Sequence, residues 1–451
     1  MTSNNPEVGS SSKEILVGEL FKYVKSSKIQ LFVGLVLFFA FAIEAWEFMI
    51  PSFILSALMK YFNIDYAIAG LLLSAPFYGA LLGAYALTWI PDVYGRKRAI
   101  QIGIIGYSIA GILTAFAPPN NYWWYFWTRF VAGAFLVLVM GQPFPYLEEF
   151  MPVQSRGRVT VYLASGWPIG TLMAVGAAYL EPWIHWQGVI LVSVAAMLIW
   201  LIPVSLIPES PYYLVAVGRE SEAKILLRKI IGDELYEKLG VENAKLKVEE
   251  RKKGNMLELF KRDLLKNTWL IFFVNIFYSF AYWGLFIWIA AILQSKGLTF
   301  VGTLEFVIAA ALAQFPAYFV AASLAERLGR RITTVLFMAL AGVFTYFFAS
   351  SKTIVDLLVY LVLLSFFNLG AWGVWDAWEP EMYPTPIRGV LMGWITGAQR
   401  ISNAIAPTII GFLLSIHGVT FTTVVTTIAI SAWISAILAS FLPETKGKIL
   451  R

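Results

Sequence analysis

Twelve runs of about 20 mostly apolar residues, parted by short polar loops, restrict this chain more than any other feature. A helix that crosses the roughly 30 Å hydrocarbon core of a bilayer needs about that length, and lipid offers its backbone no other partner. The runs fall at 31–58, 67–90, 99–117, 123–146, 159–180, 187–207, 269–293, 303–325, 332–350, 354–377, 389–415 and 419–442. Composition agrees, since 59% of residues are hydrophobic and only 14% charged, where a soluble domain carries about a quarter. The expected fold class is an all-α integral membrane protein.

The basic residues orient it. With the N-terminus inside, Lys22, Lys28, Arg96, Lys97, Arg98, Arg156, Arg158, Arg327, Arg330, Arg331, Arg388 and Lys446 all fall in inner loops, against Lys60, Lys296 and Lys352 outside. This predicts a multi-pass protein of the cell membrane with both termini cytoplasmic. The net charge of +6 is spread between spans rather than gathered on one face, so the partner it implies is the lipid bilayer and not nucleic acid. With no Cys and only His185 and His417, there is no disulfide framework, thiolate or metal-ligand cluster. Neither a nucleophile–base set nor a nucleotide-binding loop appears, so an enzyme, an ATP-driven pump and a bound cofactor are not expected.

The chain divides into a cytoplasmic segment 1–30, a first bundle 31–207, a hydrophilic linker 208–268, a second bundle 269–442 and a tail 443–451. The linker carries a helical pattern at Glu220–Ile231. Residues 14–25 read either as a short amphipathic helix on the inner membrane surface or as a disordered tail.

The two bundles are repeats. Asp92-Val93-Tyr94-Gly95-Arg96-Lys97 after the second run returns as Glu326-Arg327-Leu328-Gly329-Arg330-Arg331 after the eighth. Glu149-Phe150-Met151-Pro152 with Arg156-Gly157 ends the fourth run, and Glu381-Met382-Tyr383-Pro384 with Arg388-Gly389 ends the tenth. Pro208-Glu209-Ser210-Pro211 follows the sixth, and Pro443-Glu444-Thr445-Lys446 the twelfth. The steps from Asp92 to Glu326, from Glu149 to Glu381 and from Pro208 to Pro443 are almost the same length. Three motif pairs at nearly one spacing predict two parallel six-helix, pseudo-symmetric halves. In these loops a carboxylate can pair with Arg across a neighbouring helix, while the Gly permits a tight turn. Arg158 adds a further cation beside the first pair. Such pairs either latch one half to the other in one conformation or anchor the topology at the inner headgroups.

These motifs, with Arg129 and Gly133 in the fourth run, resemble the major facilitator superfamily over essentially the whole chain. Within it the chain is similar to the sugar-porter-like and the organic-ion branches, the latter holding aromatic-acid, nicotinate and synaptic-vesicle-like members. The seventh run reads Tyr278-Ser279-Phe280-Ala281-Tyr282-Trp283-Gly284 and lacks the Gln-Gln-x-x-Gly-x-Asn pattern of sugar porters. Glu44-Ala45-Trp46-Glu47 stands where organic-ion relatives often have Asp-Gly-x-Asp, with both acids lengthened and the Gly lost. The resemblance implies twelve transmembrane helices around one cavity that opens to each side in turn.

Ionisable groups inside spans are costly, so each is a functional candidate. Glu44 and Glu47 lie three apart on one helical face, and two carboxylates so placed in a poorly hydrated cavity can exchange a proton. Arg129 is their natural counter-ion, either as part of a proton relay or as a permanent structural pair; the resemblance also implies an acid in span one coupled to an Arg in span four. Candidate substrate contacts are Trp46, Gln142, Trp167, Tyr282, Trp283, Trp288, Asn368, Trp372, Trp375, Asp376, Gln399 and Arg400, in spans whose counterparts line the cavity in relatives. Glu379, close to Asp376, reads as an inner-surface residue instead. Aromatic walls with a few amides suit a sugar face or an aromatic ring, although any single aromatic can equally be core packing. Arg400 either holds a substrate carboxylate or makes a helix contact.

The function expected is secondary active transport of a small organic solute, an organic or aromatic acid or ion, by proton symport in a monomer. A sugar–proton symporter is the alternative, and a solute sensor that binds without transporting is the alternative of another class.

Overall fold

In the computed structural model, residues 14–24, 27–152, 155, 159, 162–249 and 255–447 are described. Arg156 and Arg158 lie outside them. Among the described residues, ten helices are long and apolar enough to cross a bilayer. In chain order the spans are Lys28–Phe53, Tyr66–Ala86, Arg96–Ala115, Tyr122–Glu148, Gly166–Ala178, Glu181–Leu206, Leu265–Phe286, Phe300–Leu328, Arg330–Ser350, Ile354–Glu381, Arg388–Ser415 and Phe421–Ser440. Spans five and eleven are the two outside the ten. The described part of span five is short, and span eleven dilutes its apolar residues with Arg400 and several hydroxyls and amides, yet its 28 residues reach about 42 Å.

The halves pack alike. In the first, spans two and three flank span four, span six lies on three, and spans five and six lie on one. In the second, eight and nine flank ten, twelve lies on nine, and eleven and twelve lie on seven. The halves meet through span two against eleven and five against eight, which exchange under the same symmetry. The first crossing is close because both backbones are bare: a Cβ on Gly411 would stand 2.3 Å from the Tyr66 carbonyl oxygen, and one on Gly70 2.6 Å from that of Pro407.

At the basic-loop end the same turn, cap and brace recur in both halves. Gly95 and Gly329 turn with φ of +97° and +100°, conformations costly for any side chain. Spans three and nine then begin on carboxylates, with Arg96 and Lys97 donating backbone N–H to Glu209, and Arg330 and Arg331 to Glu444. Arg96 also reaches Asp92 (3.2 Å) and Glu149 (3.3 Å), and Arg330 reaches Glu381 (3.4 Å). Tyr146 donates to the Pro208 carbonyl and Trp378 to that of Pro443.

The segment 14–25 is neither a surface helix nor a tail in its described part. Strand β1 (Glu14–Leu16) pairs in parallel with β2 (Lys245–Lys247) of the linker, and one helical turn (Val17–Leu20) with a 3-10 turn (Phe21–Tyr23) follows it. Val17, Leu20 and Phe21 are buried, with Phe21 stacked on Tyr212, because the linker offers this segment both a strand edge and an apolar surface. The linker also forms the expected helix Glu220–Ile231.

Candidate functional site

Span one reads Phe41, Glu44 and Phe48 along one stripe. Phe41 packs on Phe144 and Trp167, and Phe48 on Phe77 and on Trp283 of the other half, so the stripe faces the junction between halves. Glu44 is fully buried on it, and neither carboxylate oxygen has a hydrogen-bond donor among the described residues. The charge it feels most is that of Arg400 from span eleven, which lies beyond ion-pair distance.

Glu47, three residues on, points instead into the first half. Tyr107 of span three donates to its Oε2; Arg129 of span four stands 3.9 Å from the same oxygen. Arg129 further donates to the Tyr107 hydroxyl (3.3 Å) and to the Glu47 carbonyl (3.0 Å). The two acids expected to share one counter-ion are therefore separated: Glu47 with Arg129 in a closed triad, Glu44 without a partner. Trp46, two positions from Glu44 and so roughly 200° round the helix, is off the stripe.

Arg400 donates to the Ala80 carbonyl (3.1 Å) and lies 3.9 Å from the Met140 sulfur, both of the first half; its Nε has no acceptor. A half-buried guanidinium thus spends its N–H groups on neutral acceptors, and among the described residues no carboxylate pairs with it. Next to it, Gln399 donates to the Asn275 side-chain oxygen (2.8 Å), as Trp375 does (3.3 Å), and Asn275 donates to Glu379 (3.3 Å). Glu379 is buried with its second oxygen unsatisfied and no cation in reach among the described residues. Asp376, one turn earlier, is exposed, close enough to Tyr278 and Tyr318 of spans seven and eight for its charge to act on them.

Aromatic rings cross the junction. Trp167 donates to the Tyr282 hydroxyl (2.8 Å) and meets Trp283 edge to face, and Phe77 packs on Trp283; within the second half Trp372 packs on Tyr278 and Tyr282 behind them. Away from the basic loops the halves are tied by Ser56 to Gln294, Ser52 to the Phe286 carbonyl and Tyr66 on Trp288 and Phe421. Behind this tie lies a void of about 10 Å³ beside Met49, Tyr282 and Gln314, room for one water. Toward the basic-loop end, Arg400 makes the last cross-half hydrogen bond between described residues. Among the described residues the cross-half hydrogen bonds thus run from the far side to Arg400.

Several sequence candidates sit elsewhere. Trp288 is fully buried at the break between Leu265–Phe286 and Ile289–Ser295, its N–H on the Pro407 carbonyl, so it belongs to the far-side closure rather than to the aromatic wall. Asn368 is buried, its carbonyl taken by Tyr278, and Gln142 lies half-buried at the break between Tyr122–Met140 and Pro143–Glu148. The loop pairs cross between neighbouring helices as expected, and among the described residues each pair lies within one half and braces it. Glu326 is exposed and Arg388 donates to the Tyr383 carbonyl. Glu379 is in the polar cluster of the second half rather than at the inner surface. Sequence reasoning missed Tyr107 and the capping role of Glu209 and Glu444; only the caps carried a signal, the repeated Pro-Glu.

The two caps differ electrostatically. Burial pushes Glu209 above the ordinary carboxylate value of 4.5, against the N–H groups of Ser210, Lys97 and Arg96. Burial is also the largest influence on Glu444, but the N–H groups of Lys446, Arg330, Arg331 and Thr445 together outweigh it and hold that carboxyl below 4.5.

Residues 22–451 match the family described as sugar (and other) transporter. The chain is similar to the niacin transporter NiaP of Acinetobacter baylyi, with 31% identity over 412 residues that cover 90% of this chain and 92% of that one. It is also similar to organic cation/carnitine transporter 7 of Arabidopsis thaliana, with 26% identity over 94% of this chain and 93% of that one. Its fold is that of the xylose transporter XylE from E. coli in an inward open conformation, with a TM-score of 0.76 over 93% of this chain and 98% of that one at 17% identity. With its duplicated six-helix halves and the charged junction between them, the chain belongs to the sugar (and other) transporter family of the major facilitator superfamily, as a multi-pass membrane transporter and not an enzyme.

Proposed function

We propose that this transporter carries a small aromatic carboxylate of the niacin type, together with a proton, by alternating access across the cell membrane, with the basic loops in the cytoplasm. The observation that carries the reading is Arg400, a cation at the junction whose N–H groups meet only a carbonyl and a sulfur. A substrate carboxylate supplies the missing anion with two-pronged geometry. The ring then lies among Trp283, Phe77 and Trp372, where an aromatic face is favoured. The similarity to a niacin transporter supports the same substrate class.

Glu44 is the proton carrier in this reading. A buried carboxylate with no donor on either oxygen is costly as an anion, so it holds a proton for as long as substrate occupies Arg400. Glu47 stays paired with Arg129 and Tyr107 and keeps the first half rigid. Release of the substrate to the cytoplasm leaves Arg400 free to attract Glu44, which then gives up its proton to the same side.

The test is uptake into proteoliposomes under an imposed pH gradient, with labelled nicotinate, nicotinamide, xylose and an organic cation compared. Nicotinate is expected to accumulate, Arg400→Gln to raise its KM more than tenfold, and Glu44→Gln to abolish gradient-driven accumulation while retaining exchange. Accumulation of xylose in place of nicotinate, with Arg400→Gln unaffected, would overturn the substrate assignment in favour of a sugar symporter.

A further inference from the structure

A groove of about 480 Å³ opens beside the first half, away from the junction, between the start of span one, the end of span six and the linker helix Glu220–Ile231. Lys28 is the first residue of Lys28–Phe53 and Leu206 the last of Glu181–Leu206, so the groove sits where hydrocarbon gives way to headgroups on the basic-loop side. Its size is that of a small-ligand pocket.

The floor is apolar and uncovered, with Phe32 40%, Leu206 69% and Ile225 59% exposed. Ile225 stands on the opposite side of its helix from Ala223, Leu227 and Ile230, which pack inward, so none of the described residues covers it. Lys229 lies four residues from Ile225 and shares its face. At the rim, Lys28 and Lys229 make no ion pair or side-chain hydrogen bond among the described residues. The one acid there, Glu222, is already held by both prongs of Arg219 at 2.7 and 2.6 Å. The groove therefore has two free cations above an apolar bed.

We propose that this groove binds an anionic phospholipid of the leaflet on the basic-loop side. Lys28 and Lys229 hold the headgroup phosphate from two separate elements, while Phe32, Leu206 and Ile225 take the glycerol and the first methylenes of the acyl chains. A zwitterionic lipid brings its own ammonium, which two free lysines disfavour, so the site selects net negative headgroups. The bound lipid joins the linker helix to span one.

Native mass spectrometry of the purified full chain, titrated with phosphatidylglycerol or phosphatidylcholine, tests this without reference to transport. Phosphatidylglycerol is expected to stay bound preferentially, and Lys28→Gln and Lys229→Gln each to weaken it about fivefold. Lys229→Arg should keep it, and Lys238→Gln, an exposed lysine on the neighbouring linker helix, should have no effect. Both groove lysines are exposed, so these variants fold. Equal retention of the two lipids, no greater loss from the groove lysines than from Lys238→Gln, or displacement by inorganic phosphate alone would each overturn the proposal, the last by making the groove a free-anion site.

Discussion

The first half buries an ion pair, Glu47 with Arg129 bridged by Tyr107, whereas the second half buries Glu379 against Asn275, Trp375 and Gln399 with no cation among the described residues. Their loops differ far less: the same Gly turn, the same carboxylate cap and the same Arg-to-Glu brace recur in each. The difference teaches where a duplicated scaffold is free to diverge. Every helix end must satisfy its N–H and C=O groups, so the caps are held in common. A buried charge is needed only where the function uses it, and each half has settled that cost differently.

The largest expected effect separates the two buried acids. Arg129→Leu strands Glu47 without a counter-ion and should lower stability by about 3–5 kcal/mol, whereas Glu379→Gln removes a carboxylate that has no cation to lose and should change it by less than about 1 kcal/mol. Thermal melts of the purified variants in one detergent read both, and equal losses would dissolve the contrast between halves.

Next in size is the junction itself. Gly411→Ala drives a methyl into the Tyr66 carbonyl at the crossing of spans two and eleven, at a cost of about 1–3 kcal/mol borne only by the conformation closed on that side. Spin labels at the outer ends of spans one and seven should report a longer separation in the variant. Gly397→Ala, on the same span with open space at its Cβ, should leave it unchanged.

The smallest effect concerns the caps, where the halves agree in geometry and oppose each other in sign. Glu444 titrates below its ordinary value, so its contribution is present at neutral pH and is lost as pH falls through the lowered value. Glu209 titrates above its ordinary value, so wild type loses stability as pH rises from 4.5 through the raised value. From acid to neutral pH, the stability advantage of wild type over Glu444→Gln should widen and that over Glu209→Gln should narrow; parallel pH profiles would remove the electrostatic distinction.

Much of the architecture was legible in the chain because its signals are local and repeated. Apolar length marks a span, a Gly before two basic residues marks a turn, and three motif pairs sharing nearly one spacing mark a duplication. Arg400 and Glu44 stood out as charges inside apolar runs. Glu379 did not, because its Trp378-Glu379-Pro380-Glu381 context looks like a span end until Asn275 and Gln399 close over it. The strand pairing of Glu14–Leu16 escaped for a similar reason, its partner lying in the linker beyond all six spans of the first half.

By itself the sequence determined the solvent, the number of spans, the repeat and the roster of buried charges, since each follows from composition and spacing along one chain. Only the tertiary structure decided which charge meets which. Glu44 and Glu47 are three residues apart and equally acidic, but one turns toward the other half and the other toward Tyr107 and Arg129. Helix rotation and packing, settled by contacts between distant residues such as Gly70 and Gly411, set the direction each carboxylate faces, and no local pattern encodes that.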